Sequence, residues 1–404
     1  MNPWKEVILG DICNQRSELV QPGTVAETRF LGLEHIASGE PTAQSFGSSK
    51  NLRSSKFHFY PGDILYGKLR PYLDKCVLAT FEGISSTDLI ALKANEAMVL
   101  PEFVVHILHT NRFLGHAIST TTGTNHPRTN WTQLSRFRLM LPPILEQRRI
   151  IDFLSRLGEE LRIGDELIAG TIRLKAALLK ELMKGGIEPV HVKETVIGTL
   201  PSHWRIVSIR DICDLKNGFN FPADQKHESG TLTVDVLNMY GDGLGINLSN
   251  IYRVKIKQER LADYALRPGD ILLVRSSMKR EGAAWASLFE GHNEPVSFCG
   301  FIIRARPRTK EILPKFLAYY LRGTVARSYL LSTSGQVAIT NITQESIGLL
   351  KIPLPPVVEQ EKISNVLSQV DEKIALEKAK KKTLVTLRNK FLNDLAMGQV
   401  RHFA

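Results

Sequence analysis

Leu141-Pro142-Pro143-Ile144-Leu145-Glu146-Gln147 decides the reading of this chain, because it is met again as Leu354-Pro355-Pro356-Val357-Val358-Glu359-Gln360. Outward from this pair, other segments return in the same order. Trp4 opens a stretch ending Gly10-Asp11-Ile12-Cys13, and Trp204 opens one ending Arg210-Asp211-Ile212-Cys213. Pro61-Gly62-Asp63-Ile64-Leu65 returns as Pro268-Gly269-Asp270-Ile271-Leu272, and Leu100-Pro101-Glu102-Phe103 as Leu313-Pro314-Lys315-Phe316. One architecture is therefore used twice in a single polypeptide. The offset between copies is 200 residues at the Trp motif, 207 at the Pro-Gly-Asp motif and 213 at the Leu-Pro-Pro motif. Insertions in the second copy thus fall between framework motifs, as expected of a scaffold that presents variable loops; neutral loop drift is the alternative.

Each copy divides into a globular part and a proline-free stretch. The globular parts, about 4–141 and 204–354, hold short β-type runs such as Ile64-Leu65-Tyr66 and Ile271-Leu272-Leu273-Val274, bounded by Gly, Pro, Asp and Ser. Helical patches follow Pro101 and Pro314, where proline fits a first turn. The expected class is mixed α/β (α+β). After each Pro-Pro, the proline-free stretches predict helices of roughly 60 Å. Ile150, Leu154, Leu157, Leu161, Ile168, Ile172, Leu179 and Leu182 form a seam in the first. Ile363, Leu367, Val370, Ile374, Leu384, Phe391 and Leu395 form one in the second, interrupted by Glu377, Lys381 and Arg388. A narrow apolar stripe buries best against another such helix. The first helix leaves one globular part and reaches the other, and the second must return, so the pair is expected to be antiparallel and the whole pseudo-two-fold. The expected segments are 1–142, 143–190, 191–355 and 356–404.

The chain has 404 residues, with 52 Lys and Arg against 41 Asp and Glu, a net charge of +11. That excess favours a polyanionic partner. Two copies of an asymmetric unit suit a partner with two similar halves, for which duplex DNA is the obvious candidate. Cys13, Cys76, Cys213 and Cys299 include no C-x-x-C pair and read as buried hydrophobes in a reducing cytosol. The opening residues lack a signal pattern and no apolar run is long enough to cross a bilayer, so a soluble cytoplasmic protein is expected. Enzyme motifs are missing: no phosphate loop, and no Asn-Pro-Pro or Asp-Pro-Pro methyltransferase tetrapeptide. Gly241-Asp242-Gly243-Leu244-Gly245 reads as a turn, and Ser276-Ser277-Met278-Lys279 matches S-x-x-K without that class's partner motifs. His106 and His109 share a helix face but have no evident third metal ligand.

Candidate DNA contacts follow each Pro-Gly-Asp strand. They are Lys68, Arg70, Tyr72 and Lys75 in the first copy, and Arg275, Ser276, Lys279 and Arg280 in the second. Basic groups interleaved with Tyr, Ser and Gly reach phosphates and base edges, whereas a solvated basic loop is the bland reading. A second set precedes each long helix: Arg128 and Asn130, then Gln336 and Asn341. Asn and Gln suit adenine and Arg suits guanine, but Asn130 and Asn341 are equally readable as helix caps or turn formers. Lys378, Lys380, Lys381 and Lys382 track phosphates or form a solvated helix face. Glu146, Gln147, Glu359 and Gln360 sit in first helical turns, where capping competes with a docking role.

The doubled architecture, the two Leu-Pro-Pro-x-x-Glu-Gln helix starts and the terminal Leu395-Ala396-Met397-Gly398-Gln399-Val400-Arg401 resemble the specificity subunit of type I restriction–modification enzymes, over essentially the whole chain. The first copy departs from that ending with Lys184-Gly185-Gly186-Ile187. The resemblance implies two target-recognition domains, each reading half of a split, asymmetric sequence in double-stranded DNA. It implies helices that separate them and dock two adenine-N6 methyltransferase subunits, with Glu146, Gln147, Glu359 and Gln360 as docking candidates. Motor-nuclease subunits join, and S-adenosylmethionine, ATP and Mg are expected on the partners. This chain is expected to carry no catalytic or metal site. The alternatives are a specificity subunit for a combined nuclease–methyltransferase of another restriction class, and an orphan DNA-binding protein.

Overall fold

In a computed structural model of the chain, residues 4–21, 27–188, 191–222, 226–227, 229–241, 243–333 and 340–399 are described. The chain forms two compact units, 1–164 with 380–404, and 165–379. Each unit is one globular domain together with part of each long helix, and the two are described in turn.

The first domain is built on a four-stranded antiparallel sheet in the order Cys13–Arg16, Leu89–Ala94, Ile64–Gly67, Cys76–Leu78. The second domain repeats that order with Cys213–Asn217, Ile302–Pro307, Ile271–Val274 and Ala286–Leu288. Register is repeated too: Leu92 faces Ile64 in one domain and Ala305 faces Ile271 in the other. In each domain a two-stranded ladder closes the chain, Lys5–Ile8 with Arg138–Leu141 and Arg205–Ser208 with Lys351–Leu354.

The Pro-Gly-Asp motif explains how the central strand starts. Gly62 and Gly269 have φ of 86° and 93°, the left-handed region that a side chain would strain. The following carboxylate closes the turn: Asp63 accepts from the Tyr60 N–H at 2.8 Å, and Asp270 from the Arg267 N–H at 2.7 Å. Both are buried, and each is matched by a bidentate arginine, Arg16 at 2.8 Å and Arg306 at 2.6 Å. The arginines come from different strands, so the repeat keeps the buried charge balance rather than the position of its donor.

The domains differ in their second sheets. Arg29–Leu31 runs parallel to Gly83–Ser85, and Thr231–Val234 runs parallel to Val296–Phe298. In both, the earlier strand lies between that parallel partner and an antiparallel one, Gly47–Ser48 in the first domain and Tyr252–Val254 in the second, but only in the first does the sheet continue past the parallel partner, where Gly83–Ser85 pairs with Lys56–Phe59. These segments lie where the copies differ in length.

Helices Ile144–Gly185 and Val357–Ala396 match the two proline-free stretches. In the first unit, Phe153 packs on Phe391 with ring centroids 5.0 Å apart and Glu160 pairs with Lys380 at 3.6 Å. In the second, Lys175 pairs with Asp371, and Ile172 and Ile374 line one small cavity. Partner numbers fall as helix numbers rise, so the helices are antiparallel within each unit. The seams are not only helix-on-helix. Ile150 and Leu154 enter the first domain's core, and Ile363 and Leu367 the second's. Ile172, expected in the seam, is exposed. All four cysteines are free and buried, and burial pushes Cys13 and Cys213 up to about 12. No helix among the described residues is long and apolar enough to cross a membrane.

Candidate nucleic-acid interface

The loop after each central strand is fixed by backbone hydrogen bonds within its own domain, made at matching positions in the two. The Lys68 N–H donates to the Asp88 carbonyl at 2.9 Å, and the Arg275 N–H to that of Phe301 at 2.7 Å. The Thr129 N–H donates to the Lys68 carbonyl at 3.1 Å, and the Ile342 N–H to that of Arg275 at 2.9 Å. Leu69 bridges Arg128, and Ser276 pairs with Asn341. Lys68 is therefore equivalent to Arg275, Asp88 to Phe301, and Arg128 to Asn341. The same frame presents different chemistry.

In the first domain, Arg128 is half-exposed and braced by Asp88, with its Nε 2.9 Å from Oδ1. Tyr72 is exposed two residues after Arg70, whose backbone is left-handed at φ 51° and donates to the Pro127 carbonyl at 2.7 Å. The Arg70 Nε is buried without a hydrogen-bond partner among the described residues. Lys75 turns inward, donating to the Leu33 carbonyl at 2.5 Å, and so ties two loops together.

In the second domain, the Ser276 hydroxyl donates to Asn341 Oδ1. Arg275 is half-buried, with Nη1 3.4 Å from the Gly300 carbonyl, while Lys279 and Arg280 are exposed. Beside them lies an open groove of about 1140 Å³, whose lining includes Ser276, Met278, Lys279, Asn247, Leu237 and Phe301. Gln336 lies outside the described residues.

Asn130 caps the short helix Trp131–Leu134 by accepting from the Gln133 N–H at 3.1 Å, and its equivalent is Thr343, which caps Gln344–Leu349. One expectation is corrected, that of Gln147 and Gln360 as docking residues, because both are fully buried. Gln147 accepts from the Leu100 N–H at 2.8 Å and donates to the Met98 and Pro142 carbonyls. Gln360 repeats this with Leu313, Glu311 and Pro355. The neighbouring Glu146 and Glu359 accept from the Trp4 and Trp204 indoles, each at 2.9 Å. The Leu-Pro-Pro-x-x-Glu-Gln motif is thus a clasp joining three parts of its own domain.

The histidine pair is structural. Burial pushes His106 down to about 4, with His109 and Arg388 adding to the shift. His109 sits between Asp74 at 2.8 Å and the Cys76 carbonyl at 2.9 Å. Among the described residues no group of three His, Cys, Asp or Glu could hold a metal. Asp88, Phe301 and Leu237 went unnoticed in the sequence. The first two were findable, since each immediately precedes the apolar run of its copy at the 213-residue offset.

The family model described as type I restriction modification DNA specificity domain matches residues 1–169 and again 201–386. A putative type I restriction enzyme MjaX specificity subunit of Methanocaldococcus jannaschii is 22% identical over 385 residues, covering 91% of this chain and 86% of that protein. The MjaVIII specificity subunit of the same organism is 24% identical, covering 79% of this chain and 75% of that protein. A chain solved in a study of complex assembly and conformational transition of the type I R-M system superposes with a TM-score of 0.67 at 22% identity, covering 99% of both chains. The HsdS subunit from Thermoanaerobacter tengcongensis gives 0.52 at 22% identity, covering 98% of this chain and 97% of that one. The likeness to these structures shows the fold, the family model covers most of the chain, and the chain belongs to the DNA specificity subunits of type I restriction–modification systems.

Proposed function

We propose that this chain is the non-catalytic DNA-reading subunit of a type I complex, working in the cytoplasm on a split, asymmetric target. Each domain reads one half. The observation that carries this reading is the pair of matched frames with unmatched readers: Arg128 braced by Asp88 in one, Asn341 and Ser276 beside Phe301 in the other. Identical readers would suit a palindrome; different ones suit an asymmetric sequence. The partners are double-stranded DNA, two adenine methyltransferase subunits and motor-nuclease subunits, with S-adenosylmethionine, ATP and Mg held by those partners. Docking falls to the outward side of each clasp, where Leu145 and Val358 are exposed at equivalent positions, rather than to the buried glutamines.

The test is the methylated motif of cells carrying the chain with its partner subunits. Arg128→Ala is expected to relax one base position of a single half-site by about 1–3 kcal/mol. Equal weakening on all sequences would make Arg128 a phosphate contact. Absence of any motif that depends on this chain would overturn the reading.

A further inference from the structure

We infer that the second domain reads its half of the target through thymine methyl groups, contacted by Leu237, Met278 and Phe301. The inference rests on the DNA-reading function above and goes beyond it by naming the chemistry that is read. These residues come from separate segments, the short helix Val236–Met239, the loop after Ser276–Ser277 and the turn before Ile302–Pro307, and they converge on the groove. They are 82%, 87% and 61% exposed. A single exposed Leu is ordinary, but three large apolar side chains on the wall of one groove mark a binding surface.

The charges around the groove indicate the occupant. Trp285 lines it, and the guanidinium groups of Arg322 and Arg327 stack on that ring at 4.6 and 5.2 Å. Neither arginine has a carboxylate within ion-pair distance among the described residues. Arg322 donates instead to the Ala286 and Gly243 carbonyls and to the Ser287 hydroxyl, and Arg327 to the Glu281 carbonyl. Burial brings Arg322 down to about 10, which leaves it charged at neutral pH. On the groove wall, Asp235 is already paired with Lys226 at 3.1 Å. Glu281 and Lys279 oppose each other in charge on the rim. Asp371, which also acts on Arg322, is paired with Lys175, so among the described residues the net charge behind the apolar surface is positive. Duplex DNA meets both demands, because it is polyanionic and its major groove exposes one apolar group, the thymine methyl.

The first domain offers the contrast. The helical turn Leu33–His35 occupies the place of Val236–Met239, with the Gly32 N–H bonded to His35 as the Asp235 N–H is to Asn238. Glu34 thus stands where Leu237 does, and Asp88 where Phe301 does. Carboxylates there suit hydrogen-bonded readout rather than methyl contact.

A randomised duplex pool, prepared once with thymidine and once with deoxyuridine, is selected on the full-length chain. Deoxyuridine in the half read by the second domain is expected to lower affinity about fourfold per methyl lost, the factor corresponding to about 0.8 kcal/mol for one buried methyl-sized group, and in the other half to leave affinity unchanged. Leu237→Ala and Met278→Ala are expected to erase that preference and leave the other half unchanged. The comparison of pools on the unaltered chain needs no variant to fold. A motif read equally well from both pools overturns the inference while DNA reading stands. Failure of both pools to yield any motif would overturn the DNA-reading function itself.

Discussion

Each glutamine of the two Leu-Pro-Pro repeats places its amide among backbone groups: in both copies the N–H it accepts from lies 47 residues earlier. Among the described residues no other side chain bonds these backbone groups, and a buried donor or acceptor left unpaired costs about 1–3 kcal/mol. Gln147→Leu and Gln360→Leu, which keep volume but remove the bonds, are therefore expected to destabilise their own domain by at least about 2 kcal/mol. Denaturant unfolding of each variant checks this, and unchanged midpoints for both would show that the clasp holds nothing. The clasp was partly legible, since Leu100-Pro101 and Leu313-Pro314 stand at one fixed distance from their glutamines. What the letters could not say was direction. A Gln in a first helical turn reads as exposed until the approach of another segment buries it. Asn130 and Asn341 both precede a long helix in the letters, yet the frame matches Arg128 to Asn341 and Asn130 to Thr343, which only the strand pairing shows.

Among elements, the long helices divide into stretches that do different things. Leu154 and Leu367 are buried in domain cores, whereas Ile172, which shares their apolar spacing, faces solvent. Leu154→Ala and Leu367→Ala should each cost about 2–5 kcal/mol. Ile172→Ala should stay within about 0.5 kcal/mol, as at an ordinary surface position. Equal losses at all three would mean that the seam is a uniform coiled coil after all. Helix existence and direction were legible because proline-free length and connectivity fix them. Sheet order was not, because strands such as Ile64–Gly67 and Ile271–Val274 are buried on both faces and carry no alternation to mark their neighbours. The pairing of Gly83–Ser85 with Lys56–Phe59, which has no counterpart among the described residues of the second domain, lay wholly beyond the pattern, in segments whose lengths diverge between copies.

For the molecule as a whole, the repeat states the function's logic: a constant frame in each domain and a private set of readers on it. The Asp63–Arg16 and Asp270–Arg306 pairs belong to the frame, and Arg128, Asp88, Phe301 and Leu237 to the readers. If frame and readers are separable, recognition is modular, and each half-site follows its own domain. The most direct test is exchange of residues 204–353 for the matching domain of another specificity subunit, followed by sequencing of the methylated motif made by the hybrid complex. The account predicts that one half of the motif changes to that of the donor and the other half stays. A motif in which both halves change together would contradict it.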